Sequence, residues 1–399
     1  MATQPPAPLP GLASHQKLDE ECYENYDEKR FYPVKLGEIF KQRFLVVAKL
    51  GHGTVSTAWL CRDLQANFNY PRYFALKVST SGHDYTHHDE VFISQHLTSL
   101  AGQPHPGRPL LRLVLDHWWI RGPYGAVHRC LLFEPLGMTI RQFRNTQPGR
   151  LFSMPLLQQS MGMIVLAVDA LHRSGVVHTD ISPSNILLGV DGHAVFARLE
   201  QDEIEHPSAG KILQDRTIYL SRKMPVTRGP WILTDFSAAL RGRRFRGDCM
   251  PRRYRAPEVI MGMSWNTKVD IWSLVPFMWD LFEHRPLLTG KKEDGTLDDE
   301  ALVAEMVSVM GPPPKAFLER SATCAKYWDA NDNWIAAAPI LSQPLESYVT
   351  WLHGRDKELL LQFTRRILRW LPEERPTAAE LLGDEFFHTT SAMTLETHC

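Results

Sequence analysis

Val177-His-Thr-Asp-Ile-Ser-Pro-Ser-Asn-Ile-Leu-Leu188 is a polar cluster bracketed by apolar residues. Asp180 and Asn185 stand five positions apart within it, inside what must be a short irregular loop. That spacing suits a general base beside a metal ligand. A bland surface loop would not need apolar flanks of this kind.

Working outward, six further stretches carry chemistry or hold the fold around it. Downstream, Trp231-Ile-Leu-Thr-Asp-Phe-Ser237 is an apolar strand ending on Asp235, where an exposed carboxylate can hold Mg²⁺, a hard cation that prefers oxygen ligands shared with phosphates. Upstream, Leu50-Gly-His-Gly-Thr-Val-Ser-Thr-Ala58 is a glycine-rich turn between two predicted strands. Gly51 and Gly53 let backbone amides approach phosphates where a Cβ would clash, although a plain hairpin turn would also use them. Lys77 lies in the apolar strand Tyr73-Phe-Ala-Leu-Lys-Val78, where burial is costly without an anionic partner; Glu90, on the next predicted helix, is the natural carboxylate. Finally, Tyr254-Arg-Ala-Pro-Glu258, Val269-Asp-Ile-Trp-Ser273 and Glu374-Arg-Pro376 place an internal Glu and a distant Arg in apolar surroundings, which predicts a buried ion pair between Glu258 and Arg375.

The bulk properties set limits on partners. The 399 residues are 44% hydrophobic and 22% charged, enough for two separate cores, and 44 Lys and Arg against 45 Asp and Glu leave a net charge of -1. No overall field favours nucleic acid or membrane, so neither is expected as a direct partner. Six scattered cysteines without a CxxC pair argue against a disulfide framework and a zinc site and fit a reducing compartment, cytoplasmic or nuclear. The start lacks a basic region followed by an apolar run, and secretion and membrane spanning are not expected.

Along the chain, residues 1–37 read as a disordered tail, to about Arg30, and a lead-in. Strands are expected at Phe44 to Leu50, Ser56 to Cys61, Tyr73 to Val78, Arg112 to Trp119 and His128 to Glu134, with a helix from His87 to Leu100. After Gly137 the pattern turns helical: Met154 to Ser174, Val269 to Phe282, Asp299 to Met310, Lys357 to Trp370 and Ala378 to Leu382. The fifty positions from Asn185 to Asp235 contain three prolines and weak periodicity, and most of them read as an insertion, about 189–230.

These motifs, in this order, resemble the eukaryotic protein kinases over roughly Phe44 to His388. Phe31-Tyr-Pro-Val-Lys-Leu-Gly-Glu-Ile-Phe40, Gly53-Thr-Val-Ser-Thr-Ala-Trp-Leu60 and His178-Thr-Asp180 are similar to the SR-protein kinases, which also carry an insert before the metal-binding Asp. The resemblance implies an α+β, two-lobed fold: an N-lobe at 38–133 with an antiparallel sheet and one main helix, a hinge at 134–137, and a mainly helical C-lobe at 138–388 that includes the insert. It implies ATP- and Mg²⁺-dependent transfer of the γ-phosphoryl group to Ser or Thr hydroxyls of proteins, with no covalent protein intermediate. Lys77 would bind the phosphates and pair with Glu90, Asp180 would accept the hydroxyl proton, and Asn185 and Asp235 would hold Mg²⁺. Leu50, Gly51, His52, Gly53, Ser56, Ala58 and Ala75 would line the nucleotide, with Phe133 as gatekeeper and Glu134 and Leu136 in the adenine-binding hinge. Arg/Ser-rich splicing-type proteins would be the substrates of a monomeric enzyme.

Three positions depart from the common pattern. Ser56 replaces the third loop glycine, as in the SR-kinase branch; Ser182 replaces a lysine that would neutralise the transferring phosphate; Ser237 replaces a glycine free to take positive φ. Losing the Ser182 charge would cost on the order of 10²-fold in rate if nothing replaces it. The alternative reading is therefore a pseudokinase that binds nucleotide as a scaffold. Aminoglycoside- and choline-type kinases share the look of residues 180–185 but not Ala256-Pro-Glu258, Asp270 and Arg375. Thr179 occupies the usual Arg position before the catalytic Asp, and no Ser or Thr lies between Ala238 and Pro257, so activity is expected without activation-segment phosphorylation. An acidic run, Glu293, Asp294, Asp298, Asp299 and Glu300, is a candidate docking surface for arginine-rich substrates. Seven arginines between Arg241 and Arg255 would repel such substrates.

Overall fold

The computed structural model describes residues 16–67, 70–82, 89–100, 102–292 and 294–388, and these form two compact units. The first comprises the described residues to Thr98, Arg112–Met138 and Leu187–Pro230; the second comprises Ser99–Leu111, Thr139–Ile186 and the chain from Trp231.

The first unit is built on an antiparallel sheet of six strands in the order β1-β2-β3-β4-β6-β5: β1 Ile39–Phe40, β2 Phe44–His52, β3 Ser56–Asp63, β4 Tyr73–Ser79, β5 Asp116–Arg121 and β6 Val127–Phe133. Alternation along the strands puts Phe44, Val46, Trp59, Cys61, Phe74, Leu76, Cys130 and Leu132 into one cluster with Val34 and Phe40 of the lead-in. Ala75, Leu131 and Phe133 face the other way and pack with Val91 of α1, Glu90–Ser99. The expected helix start at His87 lies outside the described residues, and β5 begins later than expected, because Arg112 to Leu115 run irregularly before it.

Two expectations are corrected here. The described part of the segment read as a disordered tail, residues 16–30, forms 3₁₀ turns at Asp19–Cys22 and Glu28–Arg30, with Leu18 and Glu20 buried; the rest of that segment lies outside the described residues. Its anchor is Lys49, a cation buried in β2, whose Nζ lies 3.2 Å from Asp19, pairs with Glu20, and donates to the Tyr219 carbonyl at 2.9 Å. The insert, assigned from sequence to the helical lobe, groups instead with the sheet. It contains a helix, Ala194–Glu205, and a hairpin, Gly210–Ile212 with Thr217–Tyr219. Phe196 and Leu199 pack on Ala48, Leu60 and Tyr73, while Glu200 pairs with Arg62 at 3.0 Å and accepts from the Tyr73 hydroxyl at 2.6 Å. Phe196, Leu199 and Glu203 are the buried positions at i, i+3 and i+7, a helical signal that the prolines and charges around it obscured.

The second unit is helical, with Met154–Arg173, Lys268–Phe282, Asp299–Met310, Gly354–Ile367 and Ala378–Leu382 as its main helices. Met154–Arg173 is apolar and long enough to cross a membrane by composition, but Leu157, Met161, Val165, Val168 and Leu171 are buried inside the unit. Lys268–Phe282 is the central helix, with Trp272 and Trp279 fully buried. Glu258 and Arg375 form the expected buried pair, bidentate with both bonds at 2.7 Å, and Arg375 also donates to the Arg369 and Lys268 carbonyls. That saturation of the guanidinium is what makes a charge tolerable at 1% exposure.

Candidate active site

Each unit carries part of the constellation. In the sheet unit, β4 presents Lys77 and α1 begins at Glu90, and Lys77 Nζ meets the Glu90 carboxylate at 2.9 Å. The Glu90 side chain is 5% exposed and that of Lys77 17%, so both partners are largely desolvated, the carboxylate more than the ammonium. β2 and β3 meet in the glycine-rich turn, closed by Gly53 N–H donating to Ser56 O at 2.8 Å. A Cβ on Gly51 would meet nothing within 4 Å, one on Gly53 only Ser56 at 3.8 Å, and neither glycine has positive φ. The fold itself therefore does not demand glycine at these positions, whereas a phosphate laid against the turn would.

Leu50 packs beside Ala75, Val91, Leu131 and Phe133, and Ala75 pairs with Phe133 across the sheet. The Arg112 guanidinium lies 4.6 Å from the Phe133 ring centroid and donates to the Glu134 carbonyl at 3.0 Å. Glu134 pairs through its carboxylate with Arg72 at 2.8 Å, and Leu136 is half-buried. Gly137 is a position where the fold does require glycine: a Cβ would fall 2.2 Å from Thr227 Oγ1 at the end of the insert. Ser56 and Ala58 stand at the start of β3, with Ala58 opposite Gly51. His52, at the end of β2, lies against the N-terminal segment, its ring 5.6 Å from Tyr23, and burial lowers its pKa.

In the helical unit, Asn185 Nδ2 donates to Asp180 Oδ2 at 2.7 Å and to the Asp180 carbonyl at 2.9 Å, which fixes the carboxylate. The Thr234 N–H and hydroxyl both donate to Asn185 O, at 2.9 and 3.0 Å, so the strand ending on Asp235 is tied to Asn185. Asp235 has a left-handed φ of 64° and accepts from Ser237 N at 3.3 Å. The left-handed residue is thus Asp235, not Ser237, which sits in a 3₁₀ turn that serine adopts without strain.

Asp270 holds the Asp180 loop in a way that the sequence reading missed, although it named the motif around it. Its fully buried carboxylate accepts from the backbone N–H groups of His178 and Thr179, each at 2.8 Å, and from His172 Nε2 at 2.9 Å. Thr179 is held at φ 67°, unfavourable for a β-branched residue, and its hydroxyl donates to Ala238 O at 2.9 Å. His178 accepts from Asp180 N at 3.2 Å through Nδ1, so Nε2 carries the proton that it shares with Thr234 O at 3.1 Å. Each residue before Asp180 is thereby bound to a neighbour of Asp235.

The acidic run is engaged within the unit. Asp298 caps the helix Asp299–Met310 and pairs with Lys292 at 2.8 Å; Asp299 pairs with Arg252 and Arg255 of the activation segment; Glu300 accepts from Ala338 N; Asp294 accepts from Thr296. Glu293 lies outside the described residues.

Comparison with known proteins agrees with this geometry. The protein kinase domain family model matches residues 226–387. A serine/threonine protein kinase of Aspergillus fumigatus is 38% identical over 383 residues, covering 94% of this chain and 92% of the relative. The serine/threonine-protein kinase SRPK of Physarum polycephalum is 28% identical over 391 residues, covering 91% of this chain and 90% of the relative. SRSF protein kinase 3 of Homo sapiens is 33% identical over 221 residues, covering 55% of this chain and 38% of the relative. A crystal structure of a kinase domain superposes with a TM-score of 0.68 at 24% identity, covering 90% of this chain and all of that one. With the paired Lys77 and Glu90, the Asp180 and Asn185 loop and the Glu258 and Arg375 pair all present, the chain belongs to the serine/threonine protein kinases and is similar to the SR-protein kinases among them.

Proposed function

We propose that this kinase uses ATP and Mg²⁺ and that Asp180 is its general base. The observation that carries the proposal is the Asp180 carboxylate held by Asn185 Nδ2 at 2.7 Å, in a loop whose two preceding amides are fixed by buried Asp270. A carboxylate so held can accept the proton of a Ser or Thr hydroxyl without reorganising. Asn185 Oδ1 and the Asp235 carboxylate are the oxygen donors that would hold Mg²⁺, which supplies charge neutralisation to the transferring phosphoryl group. Lys77, oriented by Glu90, would bind the ATP phosphates beneath a turn whose glycines leave room for them. Leu50, Ala58, Ala75 and Phe133 supply the apolar surroundings for adenine, and the backbone of Glu134 and Leu136 its hydrogen bonds.

The same framework favours activity without phosphorylation of the activation segment. Its conformation rests on the Thr179 to Ala238 bond, on Phe245 stacked 4.8 Å from Trp265, and on the pairing of Arg252 and Arg255 with Asp299. Tyr254, its sole hydroxyl-bearing residue between Ala238 and Pro257, is buried with its hydroxyl on Asp280. Relatives named SRPK and SRSF protein kinase support Arg/Ser-rich proteins as the acceptors; the internal use of the acidic run argues the other way.

The test is Mg²⁺-dependent transfer of labelled γ-phosphate to generic acceptor proteins and to an Arg/Ser-rich peptide. Asp180→Ala and Asp235→Ala should each lower transfer by about 10³-fold or more, within the range for losing a positioned base or charge. Undiminished transfer in either variant would overturn its assigned role. A well-folded wild type that binds ATP and transfers nothing would favour the scaffold reading.

A further inference from the structure

Beside the catalytic loop, the helical unit carries a half-open cavity of about 270 Å³ whose charged lining is Arg141, Arg144, Arg253, Asp280 and Glu283, with Pro183 forming its catalytic-loop wall. The two carboxylates are already used. Asp280 accepts from Arg253 and from the Tyr254 hydroxyl. Glu283, buried, accepts from Thr350 N at 2.6 Å, Thr350 Oγ1 at 2.8 Å and Trp351 N at 3.4 Å. The arginines are not balanced in the same way. Among the described residues, the Arg141 side chain has neither an ion pair nor a hydrogen bond. Arg144 reaches only the Glu283 carbonyl, at 3.3 Å, and its Nε is buried without any partner. Burial lowers the pKa of Arg144, with Asp280 opposing and Arg141 adding to the effect, so half-buried Arg144 and exposed Arg141 bring two guanidinium charges to one space.

Guanidinium groups in that condition bind carboxylate or phosphate, which offer planar or tripodal acceptors to their forked donors. The position of the cavity says whose anion this is. Arg141 N–H bonds the Pro183 carbonyl at 3.4 Å, and Pro183 is three residues from Asp180, a reach of at most about 10 Å along the chain. An extended peptide presenting a hydroxyl to Asp180 spans that distance in about three residues.

We propose that this cavity is a substrate subsite for an anionic side chain, Asp, Glu or a phosphorylated residue, about three positions from the acceptor hydroxyl. It gives the kinase a preference for acidic or already phosphorylated sequences over arginine-rich ones. The basic activation segment extends the same potential, and Asp298, Asp299 and Glu300 of the acidic run expected to receive arginines are engaged within the chain. The inference rests on the assignment of Asp180 as the base.

The experiment uses the full chain and peptides with one Ser in a neutral background, carrying Glu, phosphoserine, Arg or Ala three residues before or after it. Wild type should phosphorylate the best anionic peptide with kcat/KM about ten times that of the Ala peptide or more, and the Arg peptide below both. The exposed-site variant Arg141→Glu should abolish or invert that order, and Arg141→Lys should retain part of it. Comparing the Glu and phosphoserine arms decides between carboxylate and phosphate as the preferred anion. An Arg peptide preferred by wild type, or an anion preference unchanged in Arg141→Glu, overturns the proposal. Binding of a fluorescent phosphoserine peptide is measured in parallel. Should no peptide be phosphorylated, binding that Arg141→Glu weakens tenfold keeps the subsite and removes only the catalytic reading. Absence of binding by folded wild type removes the subsite itself.

Discussion

The loop carrying Asp180 hangs from a residue of the hydrophobic core, whereas the hairpin carrying Gly51 and Gly53 is fastened by segments that precede or interrupt the domain. In the helical unit one buried carboxylate, Asp270 on the central helix, collects two loop amides and a histidine. In the sheet unit the equivalent task is spread over Asp19 and Glu20 before the sheet and Tyr219 and Ser221 in the insert, all gathered around Lys49 and the end of β2. A core anchor moves only if the unit unfolds. An appended anchor can be lost while the sheet survives, so the two loops differ in what can perturb them.

The largest effect should come from removing the core anchor. Asp270→Ala orphans the amides of His178 and Thr179 and the His172 ring, and at about 1–3 kcal/mol for each buried unpaired donor it should destabilise the helical unit by roughly 3–9 kcal/mol. Residual folded protein should transfer phosphate about 10²-fold more slowly, because Thr179 would relax from its left-handed conformation and shift Asp180. Urea unfolding followed by single-turnover assays checks both, and a normal rate in a stable variant would break the contrast.

A smaller effect is expected from the appended anchor. Deleting residues 1–26 leaves the Lys49 ammonium buried without a carboxylate, a cost of about 3 kcal/mol or more. Combining the deletion with Lys49→Met should recover most of that stability, since an apolar side chain of similar volume needs no partner. The KM for ATP should rise several-fold in the deletion, with kcat less affected. Equal stabilities of the deletion with and without Lys49→Met would show that the segment does not act through this pair.

The smallest effect concerns Asp63 at the end of β3, whose carboxyl is held below the usual carboxylate range mainly by hydrogen bonds from Arg43, at 2.8 and 2.7 Å, against the opposing effect of burial. A depressed pKa contributes stability above the unfolded value near pH 4 and loses it as pH falls through the folded value. Because Arg43 is 38% exposed, the contribution should be no more than about 1 kcal/mol. Asp63→Asn should therefore be less stable than wild type at pH 7, and the difference should close at the acid end of the titration. A difference that persists unchanged at low pH would assign it to packing.

Much of the site was legible because its chemistry is local. Asp180 with Asn185, and the strand that ends on Asp235, are fixed by the order of residues within a dozen positions. Lys77 and Glu90 could be paired from sequence because a strand lysine among apolar neighbours must find a carboxylate. The same inference was available for Lys49 in FLVVAKL, and it would have pointed at Asp19 and Glu20, but proline and charge nearby made that segment read as solvated. The insert misled for a related reason, since Phe196 and Leu199 bury against Leu60 and Tyr73, partners more than a hundred residues away.

What the sequence by itself determined is the spacing of the candidate site residues and the division into a sheet unit and a helical unit, because periodicity and short motifs are written in neighbouring residues. Only the tertiary structure decided which groups remain unpaired. Asp299 is consumed by Arg252 and Arg255, and Asp280 by Arg253, while Arg141 and Arg144 are left around one cavity. Charge composition counts these residues alike. Burial and distance, which the chain sets only when it folds, decide which of them still need a partner.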